Sequence, residues 1–167
     1  DAVVGGRSVG VPGVPRLMET IHRRFGTRPW RSLLDPAIDL AEAGFEISPR
    51  MAAAIAGDKG RLDLQPAAKA YFFDAAGEPL AAGHRLTNHA YATTLVALAD
   101  DGADAFYAGP LAARIVEAVR SHPTNPGLLT AQDLGAYQVK ERPATCAPYR
   151  GHQVCGMGPP SSGAVAI

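Results

Sequence analysis

Proline and glycine recur in this chain at the positions where helices begin and end, and that punctuation restricts it to a succession of short helices. Fourteen prolines and 18 glycines are spread through 167 residues. Proline fits the first helical turn, where its missing N–H would have had no partner, and glycine stops a helix by turning left-handed. In TRPWRSLLDPAIDLAEAGF, Pro29 and Pro36 each stand as first-turn prolines. They predict one helix over 29–34 and a second over 36–43, the latter capped by Asp35 and stopped by Gly44. SPRMAAAIAG repeats the pattern, with Ser48 as cap, Pro49 in the first turn and Gly57 as stop.

Hydrophobic spacing adds further helices. Val14, Leu17, Met18, Ile21 and Phe25 fall on one stripe and predict a helix that buries it. His22, Arg23 and Arg24 suit its last turn, and Gly26 its end. A helix from Thr87 or Asn88 to Asp101 would bury Tyr91, Leu95 and Leu98 and stop at Gly102. ADAFYAG reads as a compact turn or short helix. Gly109–Pro110 then opens a helix with Leu111, Ile115 and Val119 on its buried side. Thr130-Ala-Gln-Asp133 is a capping box with Asp in place of Glu, starting a short helix through about Ala136. The opening VVGGRSVGVPG reads as a strand end or extended loop, 58–68 as irregular, AYFFD at 70–74 as extended and HPTNPG as a loop.

From Tyr137 the period changes. Two β-like runs flank Arg150–Gly151 in YQVKERPATCAPYRGHQVCGM. A two-residue turn there pairs Tyr149 with His152 and sets Cys146 opposite Cys155, at a non-hydrogen-bonded position. Two states are open to these cysteines: a cross-strand disulfide, or a reduced pair packed as small apolar residues. The fold class is therefore mainly α with a small antiparallel β-hairpin.

Chemistry is harder to find. Hydrophobic residues make up 47% and charged residues 19%, the composition of a globular chain. Sixteen basic residues balance 16 acidic ones, so no electrostatic case exists for nucleic acid as a partner. No apolar run reaches the roughly 20 residues of a membrane span. None of His22, His84, His89, His122 and His152 shows zinc spacing, so no metal and no cofactor is expected. Asp35, Asp39 and Glu42 read as a solvated face, and Asp100, Asp101 and Asp104 as turn and capping residues. The glycines at 5, 6, 10 and 13 make no phosphate loop, and SVGVPG is equally suited to close packing or to lining a site. The chain ends in GPPSSGAVAI, where Ser161, Ser162 and Gly163 look like the N-terminus of a helix able to meet a carboxylate. Neither serine has a base near it in sequence, and no residue is assigned a catalytic role. A chain starting DAVVGG and stopping where a helix begins is expected to be a piece of a longer one.

Several blocks, in order, resemble the gamma-glutamyltranspeptidase family: SVGVPGVP, PWRSLLDPAIDLAEAGFEISPRM, AYFFDAAGEPLAAGHRL, DAFYAGPLAARIVEAV, LTAQDLGAYQV and YRGHQVCGMGPPSSGA. The last block departs from the family's usual three prolines and two glycines, and Val14 stands where Thr is common. The resemblance covers nearly the whole chain. It implies an incomplete domain, residues 1–167 forming one helix-rich segment of the large subunit of an N-terminal nucleophile hydrolase with an αββα fold. The attacking Thr would lie downstream of Ile167 and the carboxylate-binding Arg upstream of Asp1, so the segment alone should be inactive.

It further implies partners: the rest of the large subunit, the small catalytic subunit and a glutathione-type substrate. An extracellular, periplasmic or cell-surface location follows by the same resemblance. Faces left uncovered should promote self-association. Ser161, Ser162 and Gly163 are candidates for the site wall. Two other readings compete: an acylase of the same family acting on glutaryl or cephalosporin-type amides, and a non-catalytic helical interaction domain.

Overall fold

A computed structural model describes residues 3–163 and 166. Two compact units divide at Tyr137–Gln138, and each is described by itself. The first is helical. After a single 3₁₀ turn at Gly6–Ser8 come α1 (Val14–Phe25), α2 (Trp30–Ala43), β1 (Phe45–Glu46), α3 (Pro49–Gly57), α4 (Lys59–Leu62) and α5 (Pro66–Phe72). These are followed by β2 (Arg85–Leu86), α6 (His89–Asp101), α7 (Asp104–Tyr107), α8 (Gly109–Arg120) and α9 (Ala131–Gly135). The second unit is the hairpin β3 (Thr145–Tyr149) and β4 (His152–Gly156) with its flanking chain.

Side-chain capping sets several boundaries. Ser48 accepts the Met51 N–H at 3.1 Å to open α3, and Asn88 accepts the Tyr91 N–H at 2.9 Å to open α6. Gly102, at φ 71°, stops α6. At α9 the capping box is complete: Thr130 Oγ1 accepts from the Asp133 N–H at 3.1 Å, and Asp133 Oδ2 accepts from the Thr130 N–H at 2.9 Å. The Thr130 hydroxyl also donates to that carboxylate, and with the backbone bond it holds Asp133 below the usual carboxylate value. Thr130→Ala is expected to cost about 1 kcal/mol by urea denaturation. A lowered folded-state value means a contribution present above the unfolded value of 3.8 and lost as pH falls below it. Asp133→Asn should therefore flatten the acid limb of a stability–pH curve below that value, and an unchanged limb would exclude the bond.

Several expectations fail, among them the irregular reading of 58–68, where α4 and the first turn of α5 form. In place of two helices over 29–34 and 36–43, the single helix α2 (Trp30–Ala43) has Pro29 as its N-cap and Pro36 inside it. The lost Pro36 bond is tolerated because the continuous helix packs along α6. There Leu34, Leu95, Leu98 and Ala99 form a core with Trp30 and Ile38, and the Trp30 indole donates to Leu98 O at 2.7 Å. Asp35 is consequently no cap; it lies one turn past Arg31 and pairs with it at 3.5 Å. Residues 70–72, expected extended, end α5, because Pro66 opens a helix that runs through them; Phe73 alone bridges to Pro79. The opening glycine-rich segment is not a strand end: a 3₁₀ turn at Gly6–Ser8 leads into a loop at 9–13, the other form expected of it.

Burial also departs from the pattern. On α6 the buried residues are Ala92, Leu95, Leu98 and Ala99, while Tyr91 is exposed. On α8 they are Ala112 and Val119, with Leu111 and Ile115 half-buried. On α1 the expected stripe of Val14, Leu17, Met18, Ile21 and Phe25 is exposed, Phe25 by 67%, and the buried residue is Glu19. At 100° per residue Glu19 lies on the face opposite the stripe, so within this unit α1 turns its polar side inward.

In the second unit β3 and β4 pair antiparallel with Tyr149 opposite His152 and Cys146 opposite Cys155. Arg150 at φ 47° and Gly151 at φ 81° form the turn, both left-handed, the geometry that matches strand twist. A disulfide joins Cys146 and Cys155, whose Cα atoms stand 4.1 Å apart.

Candidate functional site

The most convergent polar cluster in the first unit is one that spacing did not single out. Arg16, in the first turn of α1, has a backbone N–H with no helical acceptor. It donates to the Tyr107 hydroxyl at 3.3 Å, and that hydroxyl donates to Pro12 O at 2.5 Å. Tyr107, at the end of α7, thus caps α1 and fixes the SVGVPG loop. Glu19 returns the favour. Its Oε1 accepts the Ala103 N–H at 3.1 Å, at the start of α7, and Arg23 Nη2 at 3.0 Å, while Oε2 accepts Arg16 Nη1 at 3.1 Å. Arg16 Nη2 reaches Asp104 at 2.7 Å. Each of the two helices therefore satisfies the other's orphan donors.

Close packing accompanies these bonds. The Arg16 guanidinium lies 4.8 Å from the centre of the Tyr107 ring, which stacks on Tyr137 at 5.6 Å. A Cβ on Gly102 would run into Glu19 Oε1, and one on Gly13 into the Tyr137 hydroxyl. Gly6 likewise lies against Val119 O and Gly127 N. The glycine-rich opening is thus used for close approach at 6 and 13. Burial pushes the Tyr107 hydroxyl above its usual value, so it remains a neutral donor. Burial lowers the Arg16 guanidinium, but its bonds to Asp104 and Glu19 outweigh that and leave it raised. Oε1 of Glu19 accepts two hydrogen bonds and Oε2 one, so the cluster is a clasp between α1 and α7.

The remaining candidates are dispersed. Glu42 pairs with His89 at 2.7 Å, and Asp100 with Arg31. His122 sits at an open cleft of about 510 Å³, where its Nδ1 accepts the Asn125 N–H at 3.1 Å and its Nε2 lies 2.9 Å from the Gln65 amide. Among the described residues no group of His, Cys, Asp and Glu could hold a metal. In the second unit, Ser161 Oγ accepts the Gly163 N–H at 3.2 Å, and both Ser161 and Ser162 are exposed. Arg142 Nη1 donates to Pro159 O at 3.2 Å and ties this segment to the chain before β3. The helix expected to follow falls on Ala164, Val165 and Ile167, outside the described residues. Thr130 and Asp133 do pair hydroxyl with carboxylate, but those bonds form the capping box of α9.

The family model for gamma-glutamyltranspeptidase matches residues 1–167. This chain belongs to that family. The glutathione hydrolase proenzyme of Arthroderma benhamiae is 36% identical over 165 residues, covering 98% of this chain and 28% of the relative. The acylase ACY 1 proenzyme of Pseudomonas sp. strain SE83 is also 36% identical over 165 residues, covering 99% and 29%. The crystal structure of Helicobacter pylori gamma-glutamyltranspeptidase superposes with a TM-score of 0.91 at 34% identity, over 98% of this chain and 46% of that one. A gamma-glutamyltranspeptidase-family chain of mostly helical form with one small antiparallel hairpin is what the sequence led us to expect, and the fold class stands. The chain spans under a third of the length of the curated relatives it matches.

Proposed function

We propose that this chain is the helix-rich scaffold segment of the large subunit of a self-processing gamma-glutamyltransferase and glutathione hydrolase. The family match along all 167 residues carries that reading. In the whole protein an N-terminal Thr hydroxyl, activated by its own amine, attacks the γ-glutamyl amide carbonyl and expels the amine. Water or an acceptor amine then takes the acyl group, with backbone N–H groups holding the oxyanion. The segment supplies no reacting atom; its part is to build the wall around the site, with Ser161, Ser162 and Gly163 as candidates.

The inverted burial of α1 supports the scaffold role. A stripe of five apolar residues facing outward is a surface for further chain to cover, here the rest of the large subunit and the small subunit. Among the described residues no helix is long and apolar enough to cross a membrane. A disulfide between exposed cysteines fits an exported location. The acylase reading has one specific observation behind it, the relative named as an acylase at the same 36% identity as the glutathione hydrolase.

Two tests separate these. Turnover of a γ-glutamyl anilide over a glutaryl amide by the processed protein supports the first reading, and the reverse preference the second. The purified 167-residue chain is expected to turn over neither substrate; saturable cleavage of either would overturn the scaffold role. By light scattering the same chain is expected to exceed its 17.4 kDa monomer mass, because α1 presents its stripe to solvent. A sharp monomer would show that the stripe is no association surface.

A further inference from the structure

Cys146 and Cys155 face each other on a ribbon of only two strands, and both are exposed. So are Pro148 and Gln153, the next facing pair on the same side of the ribbon. Thiol–disulfide exchange requires a thiolate to reach a sulfur along the bond, and access is a main determinant of its rate.

Charge narrows the partner. Between Gln138 and Gly163 the chain carries Lys140, Arg142 and Arg150 against a single acid, Glu141. Neither strand holds an acidic residue, and Arg150 occupies the turn. A thiol bearing carboxylates is drawn to such a surface; a cationic thiol is repelled. Register, meanwhile, does not depend on the sulfur bond alone. The left-handed Arg150–Gly151 turn and four other facing residue pairs define it as well, so the thiols stay near each other after opening.

We propose that the Cys146–Cys155 disulfide is an exchange site for a small anionic thiol of the glutathione class. Naming glutathione rests on the substrate reading above; the exchange chemistry itself does not. The thiolate of the small molecule attacks one Sγ. A new sulfur–sulfur bond forms, the Cys146–Cys155 bond breaks, and its electron pair leaves on the other cysteine, which takes a proton from water. A second thiolate attacks the mixed disulfide and releases the small molecule's disulfide. Two thiols are oxidised and one protein disulfide is reduced.

The test uses the full-length protein carrying this chain, native, incubated with glutathione, quenched in acid and mapped by mass spectrometry. A glutathione adduct on Cys146 or Cys155 is expected, formed several-fold faster at low salt than with a neutral thiol of matched acidity. High salt should abolish that advantage, and S-methylglutathione should form no adduct. Cysteines that react only after denaturation overturn the site; equal rates for neutral and anionic thiols overturn its selectivity. Hydrolysis of a γ-glutamyl anilide is followed on the same preparation. Exchange without hydrolysis keeps the exchange site and sinks the substrate reading, whereas hydrolysis without exchange does the opposite.

Discussion

Tyr107→Ala is expected to lower the stability of this chain by about 4 kcal/mol, the largest single-residue effect in it. The side chain is 2% exposed and belongs to the core of Ala103, Ala112, Val119, Leu129 and Leu134. Removing it leaves a cavity and ends the Tyr137 stack and the Arg16 contact. It also strips Pro12 O and the Arg16 N–H of their partner. Tyr107→Phe separates these causes, since it keeps the ring and deletes only the hydroxyl. Its cost should be about 1–2 kcal/mol, set by two half-buried backbone groups that lose their partner. Urea midpoints with unchanged slopes would measure both. Near-equal losses for Phe and Ala would show that the ring contributes little and that the core has been misjudged.

Helix ends and hairpin register were legible in the sequence because both are decided within a few residues. Ser48, Asn88 and the Thr130–Asp133 box bond backbone groups three positions away, and no distant part of the chain is needed to place them. The same holds for Arg150–Gly151, whose left-handed turn fixes every pair down to Cys146 and Cys155. Pro36 shows where local reasoning stops. A proline disfavours the helix before it, but packing of Leu34 and Trp30 against α6 outweighs that preference. The aromatic run at 71–73 reads as extended by composition, yet Pro66 upstream commits it to a helix as far as Phe72. The two-residue strands β1 and β2 are too short to leave a periodic signal.

The largest misreading was of burial on α1, and it has a physical cause. An amphipathic pattern states that one face is apolar; it does not state which neighbour is present to cover it. Within this unit the neighbours of α1 are the start of α7 and its Gly102–Ala103 lead-in, which need hydrogen-bond acceptors more than methyl groups. A sequence signal for this existed. Arg16, Glu19 and Arg23 lie at i, i+3 and i+7 on the face away from the stripe, with Glu19 placed to pair both arginines. The candidate wall at Ser161–Gly163 offers no comparable signal, because the chemistry it would border resides, on our reading, in other segments.

Glu19→Ala tests the clasp directly. The Glu19 carboxylate is 8% exposed and accepts from three donors, so its loss should cost about 3 kcal/mol. That is the low end for a buried charge pair, because Arg23 is largely exposed and Arg16 partly so, and both can rehydrate. Glu19→Gln should cost less, about 2 kcal/mol, and for a specific reason. Its amide oxygen still accepts from Ala103 and Arg23, while the amide nitrogen faces Arg16 Nη1, donor against donor. Arg16→Ala removes that conflict. In the double variant, Glu19→Gln should therefore be milder than in the parent, with a coupling of about 1 kcal/mol or more. Independent, additive losses would mean that Arg16 and Glu19 do not act together. A Glu19→Ala variant within about 0.5 kcal/mol of the parent would mean that α1 is held by something other than its inward polar face.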